Sequence, residues 1–137
     1  MPRVALLLAL VGLATGVGVV LRQRAGRARE VTDGAQLSAG DLGFPLAERA
    51  TFVQFSSPAC SPCRSVRRVL GELVAGEPGL AHVDLDATER LDLARRLGIL
   101  RTPTVMLLDP HGRVLRRISG AMTAEQARAA IPEKLRS

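Results

Sequence analysis

Cysteine occurs at two positions in this chain of 137 residues, three apart in the run Cys60-Ser61-Pro62-Cys63. The pair stands between a segment that reads as a strand and one that reads as a helix. With a helix opening near Cys60, that sulfur faces unpaired backbone N–H groups and the positive end of the helix dipole, and both stabilise a thiolate over a thiol. Cys63, one turn further in, is near enough to close a disulfide on it. Pro62 falls in the first turn, where its missing N–H removes no intrahelical bond. The spacing therefore supports thiol–disulfide exchange, with Cys60 attacking a substrate disulfide and Cys63 resolving the mixed disulfide. Plainer uses stay open beside it. A zinc site normally takes four ligands, and beyond the pair the chain offers only the isolated His82 and His111, so no metal is expected. A static disulfide across so short a loop adds little stability. Two inert buried thiols fit poorly with a Ser-Pro turn between them.

The elements that must position this pair follow from hydrophobic period. Thr51–Ser56 is short, β-branched and aromatic, as a buried strand is. From Arg64 to Val74, Val66, Val69, Leu70, Leu73 and Val74 form one helical stripe. Leu80–Asp86 alternates like a strand. Glu89–Leu97 reads as a helix with Leu91, Leu93, Ala94 and Leu97 inward and Gly98 at its end. Pro103–Leu108 and Val114–Ser119 flank the turn sequence Asp109-Pro110-His111-Gly112 and form a hairpin. Thr123, with Gln126 three residues on, opens a last helix that Pro132 shortens or kinks. The predicted order is β-α-β-α-β-β-α.

Charge divides the chain. Residues 1–29 hold Arg3, Arg22, Arg24, Arg27 and Arg29 and no acid, whereas the rest carries 14 bases against 13 acids. The folded part is thus nearly neutral, and with 2% aromatic residues it lacks both the basic face and the stacking platforms of a nucleic-acid binder. No nucleic-acid partner is expected. Val4–Leu21 is 18 residues without a charge, about 27 Å as a helix and close to the thickness of bilayer hydrocarbon. Arginines follow it at once, which favours a retained anchor over a cleaved signal peptide. The expected organisation is a transmembrane anchor over residues 1–21 that meets lipid through residues 4–21, a basic linker over 22–36, and an α/β domain over 37–137. Four arginines on the C-terminal flank against one plus the α-amino group on the other place the domain on the cytoplasmic face, with the extracytoplasmic side as the alternative. Gly12 and Gly16 form a small-xxx-small pair, a spacing that is also common in membrane helices for no such purpose.

Three features together resemble the thioredoxin-like family over about residues 45–136: the strand Thr51–Phe55, the Cys-Ser-Pro-Cys pair opening a helix, and the run Ile99–Asp109 before a hairpin and last helix. The resemblance implies a thioredoxin-like α/β fold, a central mixed sheet with flanking helices. It also implies that Pro103 is a cis-proline facing the cysteines and that the backbone of Thr102 holds a substrate peptide. Cys60 and Cys63 become the catalytic, redox-active pair, with Ser61 and Pro62 completing the motif. The partners would be protein thiols and disulfides, with an upstream dithiol reductant and no cofactor. Departures from the family pattern are Ala59 and Ser56 where aromatic residues are usual, and Gln54 where a buried Asp takes part in proton transfer. Gln54 cannot titrate, so proton movement falls to water or to His82 and Asp84 on the next strand. His82 itself reads as a solvated strand residue, and His111 as surface. The Gly43-Phe44-Pro45-Leu46 lead-in is similar to that of extracytoplasmic thioredoxin-like proteins of the cytochrome-maturation type. A non-catalytic, membrane-anchored binding module of the same fold is the remaining alternative.

Overall fold

The structure is a computed structural model and describes residues 1–24, 27–30 and 34–136. An apolar helix, α1 (Pro2–Arg24), precedes the domain and buries none of its residues. The domain is a five-stranded sheet of β1 (Arg29–Glu30), β2 (Ala50–Ser56), β3 (Leu80–Asp86), β4 (Thr104–Leu108) and β5 (Val114–Ser119), in the order β1-β5-β4-β2-β3. β2 and β3 run parallel through the crossover helix α3 (Ser61–Gly76), and the other pairs are antiparallel. Every residue of β2 is buried, which explains why this segment reads as a continuous apolar run rather than an alternating one: helices cover both of its faces.

The two faces can be told apart by parity. Ala50, Phe52, Val105, Leu107 and Ile118 pack on Val66, Leu70 and Leu73 of α3 and on Ala127 and Ala130 of α5 (Ala124–Ala130). Val53, Phe55, Met106 and Leu108 pack on Leu42 of α2 (Ala39–Leu42) and on Leu93 and Leu97 at α4 (Leu91–Arg96). Successive side chains of a strand point to opposite faces, so β2 alone feeds both cores.

Four details depart from the sequence expectation or add to it. Leu91 is exposed rather than inward, because α4 begins there and spans only six residues; Leu93, Ala94 and Leu97 share its buried stripe, and Leu91 points away from it. Residues 22–36, read as linker, are partly built into the structure: Arg22–Arg24 end α1, and Arg29 and Glu30 pair with Arg117 and Arg116 of β5. α2 was not expected, although its signal is legible: Ser38 caps it, its hydroxyl accepting from the Asp41 N–H while Asp41 accepts from the Ser38 N–H. α5 has the expected Thr123–Gln126 capping box and stops at Ala130. Ile131 is extended before Pro132, as a residue preceding proline prefers to be. A short 3-10 turn follows at Glu133–Leu135.

Candidate active site

Cys60 is the N-cap of α3, in extended backbone with no side-chain cap bond. Its sulfur is joined to that of Cys63 in a disulfide, with 5.4 Å between the two Cα atoms. The two ends of the pair differ in access. Cys60 is half-buried, with Pro58, Ala59, Ser61 and Pro62 exposed around it, whereas Cys63 is 1% exposed. The turn before the helix is held by the Cys60 N–H donating to the Ser57 carbonyl.

The Thr102–Pro103 peptide bond is cis, and its loop meets the cysteine loop directly. The Ser57 and Thr102 hydroxyls share a 2.9 Å hydrogen bond. Behind it, the Thr104 hydroxyl donates to the Arg101 carbonyl and the Gly120 N–H donates to the Pro103 carbonyl. Four of the sequence-derived positions, Cys60, Cys63, Thr102 and Pro103, are therefore brought to one end of the sheet, at the C-terminal edge of β2 and the start of β4.

Beneath the helix start lies a polar chain that sequence reasoning saw only in part. Gln54 is fully buried, and its amide nitrogen donates to the Cys63 carbonyl at 2.9 Å and to the Ser56 hydroxyl at 3.0 Å. A carbonyl only accepts, so the amide has one orientation, and its oxygen accepts from His82 Nε2–H at 3.0 Å. The Ser56 hydroxyl in turn donates to Asp84, whose other oxygen takes the Arg67 guanidinium of α3. His82 is thus not a free strand residue: it is half-buried and fixed as the Nε2–H tautomer. The signal that could have found this is parity, since Gln54, Ser56, His82 and Asp84 all fall on the face of the β2–β3 pair that α3 covers. His111 is exposed in its turn, as expected.

Burial is the main cause holding the His82 pKa below its ordinary 6.5; Asp84 opposes it and Arg67 adds to it. The folded protein therefore binds this proton less well than the unfolded chain, and stability falls as pH drops through and below the unfolded value. Asp41, held low by the Ser38 backbone N–H, and Asp86, held low by the Thr88 hydroxyl, act only lower, as pH falls through the carboxylate range. The expected result is a urea midpoint that declines between about pH 7 and pH 5 and a flatter profile for His82→Asn. Equal slopes for the two proteins would remove His82 as the cause.

A sheet in this order, with a cysteine pair at the N-terminus of the crossover helix and a cis-proline before the first hairpin strand, defines a thioredoxin-like α/β domain. The chain belongs to that family: the family model described as "Thioredoxin-like domain" matches residues 45–134. Among known proteins it is 33% identical over 73 residues to the Arabidopsis thaliana protein named "Putative thioredoxin H10", covering 53% of this chain and 47% of the relative. It is 32% identical over 81 residues to the Arabidopsis thaliana NADPH-dependent thioredoxin reductase 3, covering 58% of this chain and 15% of that one. The chain thus spans less than half the length of either relative. Among solved structures, a mutant thioredoxin of Halobacterium salinarum superposes with a TM-score of 0.57 at 22% identity, over 66% of this chain and 77% of the other. Mitochondrial thioredoxin 3 of Saccharomyces cerevisiae, oxidized form, does so at 0.54 and 24%, over 61% and 77%. These two likenesses concern the fold. α1, for its part, is long and apolar enough to cross a membrane.

Proposed function

We propose that this chain is a membrane-tethered thiol–disulfide oxidoreductase acting on protein substrates. The observation that carries the proposal is the joint placement of a half-buried Cys60 at the N-cap of α3, its partner Cys63 buried one turn behind, and a cis-proline loop hydrogen-bonded to the cysteine loop. In the reduced pair the Cys60 thiolate attacks a substrate disulfide; a mixed disulfide forms and one substrate sulfur leaves as a thiolate that takes up a proton. Cys63 then attacks the Cys60 sulfur, the second substrate thiol is released, and two electrons have passed from the pair to the substrate. The backbone of Thr102, with Pro103, docks an extended substrate segment. An upstream dithiol reductant returns the pair to its starting state.

α1 serves as the anchor through residues 4–21, with residues 37–137 as the catalytic domain. The arginines after the apolar run favour the cytoplasmic face, where such a pair acts as a reductase. The extracytoplasmic alternative, a thiol reductase of the cytochrome-maturation kind, draws on the Gly43–Leu46 lead-in and on Pro62 before the second cysteine. The fold without catalysis, as a binding module, has Gln54, Ala59 and Ser56 in its favour and the intact cysteine pair against it.

The deciding experiment is turnover. Full-length protein in neutral detergent, supplied with a dithiol reductant, is expected to reduce a small disulfide protein such as insulin faster than the reductant alone. With no Trp in the chain, product thiols are followed by a labelling reagent. A rate equal to that of the reductant alone would leave only the binding module.

A further inference from the structure

Five arginines from separate parts of the chain line one cleft of about 470 Å³: Arg24 at the end of α1, Arg27 and Arg29 around β1, Arg101 before the cis-proline, and Arg117 on β5. Among the described residues no carboxylate lines it, and none of the five takes part in an ion pair. The pairing of β1 sharpens the point. Its two residues face β5 as Glu30 opposite Arg116, an ion pair at 3.1 Å, and as Arg29 opposite Arg117, two like charges. Like charges directly across a strand pair destabilise it, and this pair lies in the cleft. Arg117 is also held in place, its guanidinium donating to the Leu97 and Gly98 carbonyls. A fixed guanidinium and four neighbouring cations, with no carboxylate among the described residues that line the cleft, form a preorganised site for a phosphate.

The position of the cleft selects the phosphate. Arg24 is the last residue of α1 and lines the cleft, so in a membrane the cleft stands at headgroup level just beyond the 18 uncharged residues. Leu100, 95% exposed, lines the same cleft beside Arg101; an apolar side chain there suits the interfacial layer and has no use for a soluble anion. We infer that this arginine cleft binds the phosphodiester headgroup of an anionic phospholipid and seats the domain against the bilayer. Because Arg101 directly precedes Thr102 and Pro103, the substrate loop is held close to the same surface, which favours substrates whose disulfides lie near the membrane. The inference rests on the membrane-spanning role of α1 and not on the thiol chemistry.

Native mass spectrometry of the full chain ejected from neutral detergent tests it, with dioctanoyl phosphatidylglycerol, dioctanoyl phosphatidylcholine or inorganic phosphate titrated in. The wild type is expected to retain the glycerol lipid and not the choline lipid. The Arg29→Ser/Arg101→Ser double variant is expected to need about 25-fold more of it, about fivefold for each arginine removed. Both substitutions are at exposed positions, and circular dichroism checks that the variant is folded. Equal retention of the two lipids, equal affinity of wild type and variant, or equal occupancy by inorganic phosphate would each overturn the assignment. Insertion of α1 is read separately by alkaline extraction of membranes, so loss of the anchor and loss of the cleft give different results.

Discussion

Cys60→Ser is expected to abolish disulfide reduction down to the rate of the reductant alone, and Cys63→Ser, with no free dithiol present, is expected to stop after half a cycle with substrate covalently attached. The asymmetry follows from access. A protein disulfide can approach only the half-buried Cys60, because Cys63 is 1% exposed beneath the helix start. When Cys63 is replaced, attack still occurs but no second sulfur is present to release the product. Incubated with a disulfide substrate, the Cys63→Ser protein should gain the mass of one substrate chain per molecule, and that adduct should vanish on adding free dithiol. The Cys60→Ser protein should gain none. An adduct on Cys63 in the Cys60→Ser variant would reverse the roles; no adduct on either would remove the exchange mechanism and leave the fold without its chemistry.

How far this site could be read from the sequence depends on the range of the interactions that build it. The cysteine pair, the strand before it and the helix after it are local: the apolar run of β2, the Pro62 in the first turn and the stripe Val66-Leu70-Leu73 all lie between Ala50 and Leu73 and appear as expected. The cis-proline loop came from family resemblance, since nothing in Thr102-Pro103 itself fixes the isomer or its neighbour; the Ser57–Thr102 hydrogen bond that ties the two loops joins positions 45 apart in sequence. The polar chain under α3 was half legible. Gln54 stood out by residue type, but that its amide would reach both the Cys63 carbonyl and His82 depends on the parallel register of β2 and β3, which a single sequence does not display. The least legible part was the stretch between the membrane-length helix and β2. Its composition is that of a linker, yet Ala35, Gln36 and Leu37 are bound to the β4–β5 turn by contacts 75 or more positions away.

That stretch is where one added methyl group should matter most. Gly112, at the end of the β4–β5 turn, has a φ of +83°, and a Cβ built on it would stand 1.9 Å from the Leu37 carbonyl oxygen. The approach is close because the Leu37 N–H donates to the Gly112 carbonyl, the Val114 N–H donates to the Ala35 carbonyl, and the Gln36 side-chain amide donates to the His111 carbonyl. Leu37 is itself fully buried in the core on the α2–α4 side. Gly112→Ala therefore meets two costs, left-handed backbone for a residue with a Cβ, about 1–2 kcal/mol, and displacement of a buried leucine, about 1.5–3 kcal/mol. A loss of about 3 kcal/mol is expected in urea unfolding of the full chain. Gly98→Ala separates the two costs, because Gly98 also has positive φ, at +63°, but its nearest neighbour to an added Cβ is 3.9 Å away; only the conformational part, about 1–2 kcal/mol, should be lost. Equal losses for the two variants would show that the Leu37 contact constrains nothing. If instead Gly112→Ala is the weaker protein and is cleaved ahead of β2 under limited proteolysis while Gly98→Ala is not, Ala35, Gln36 and Leu37 form a docked strap. The path of the chain into β2 is then set by the fold and not by a free tether.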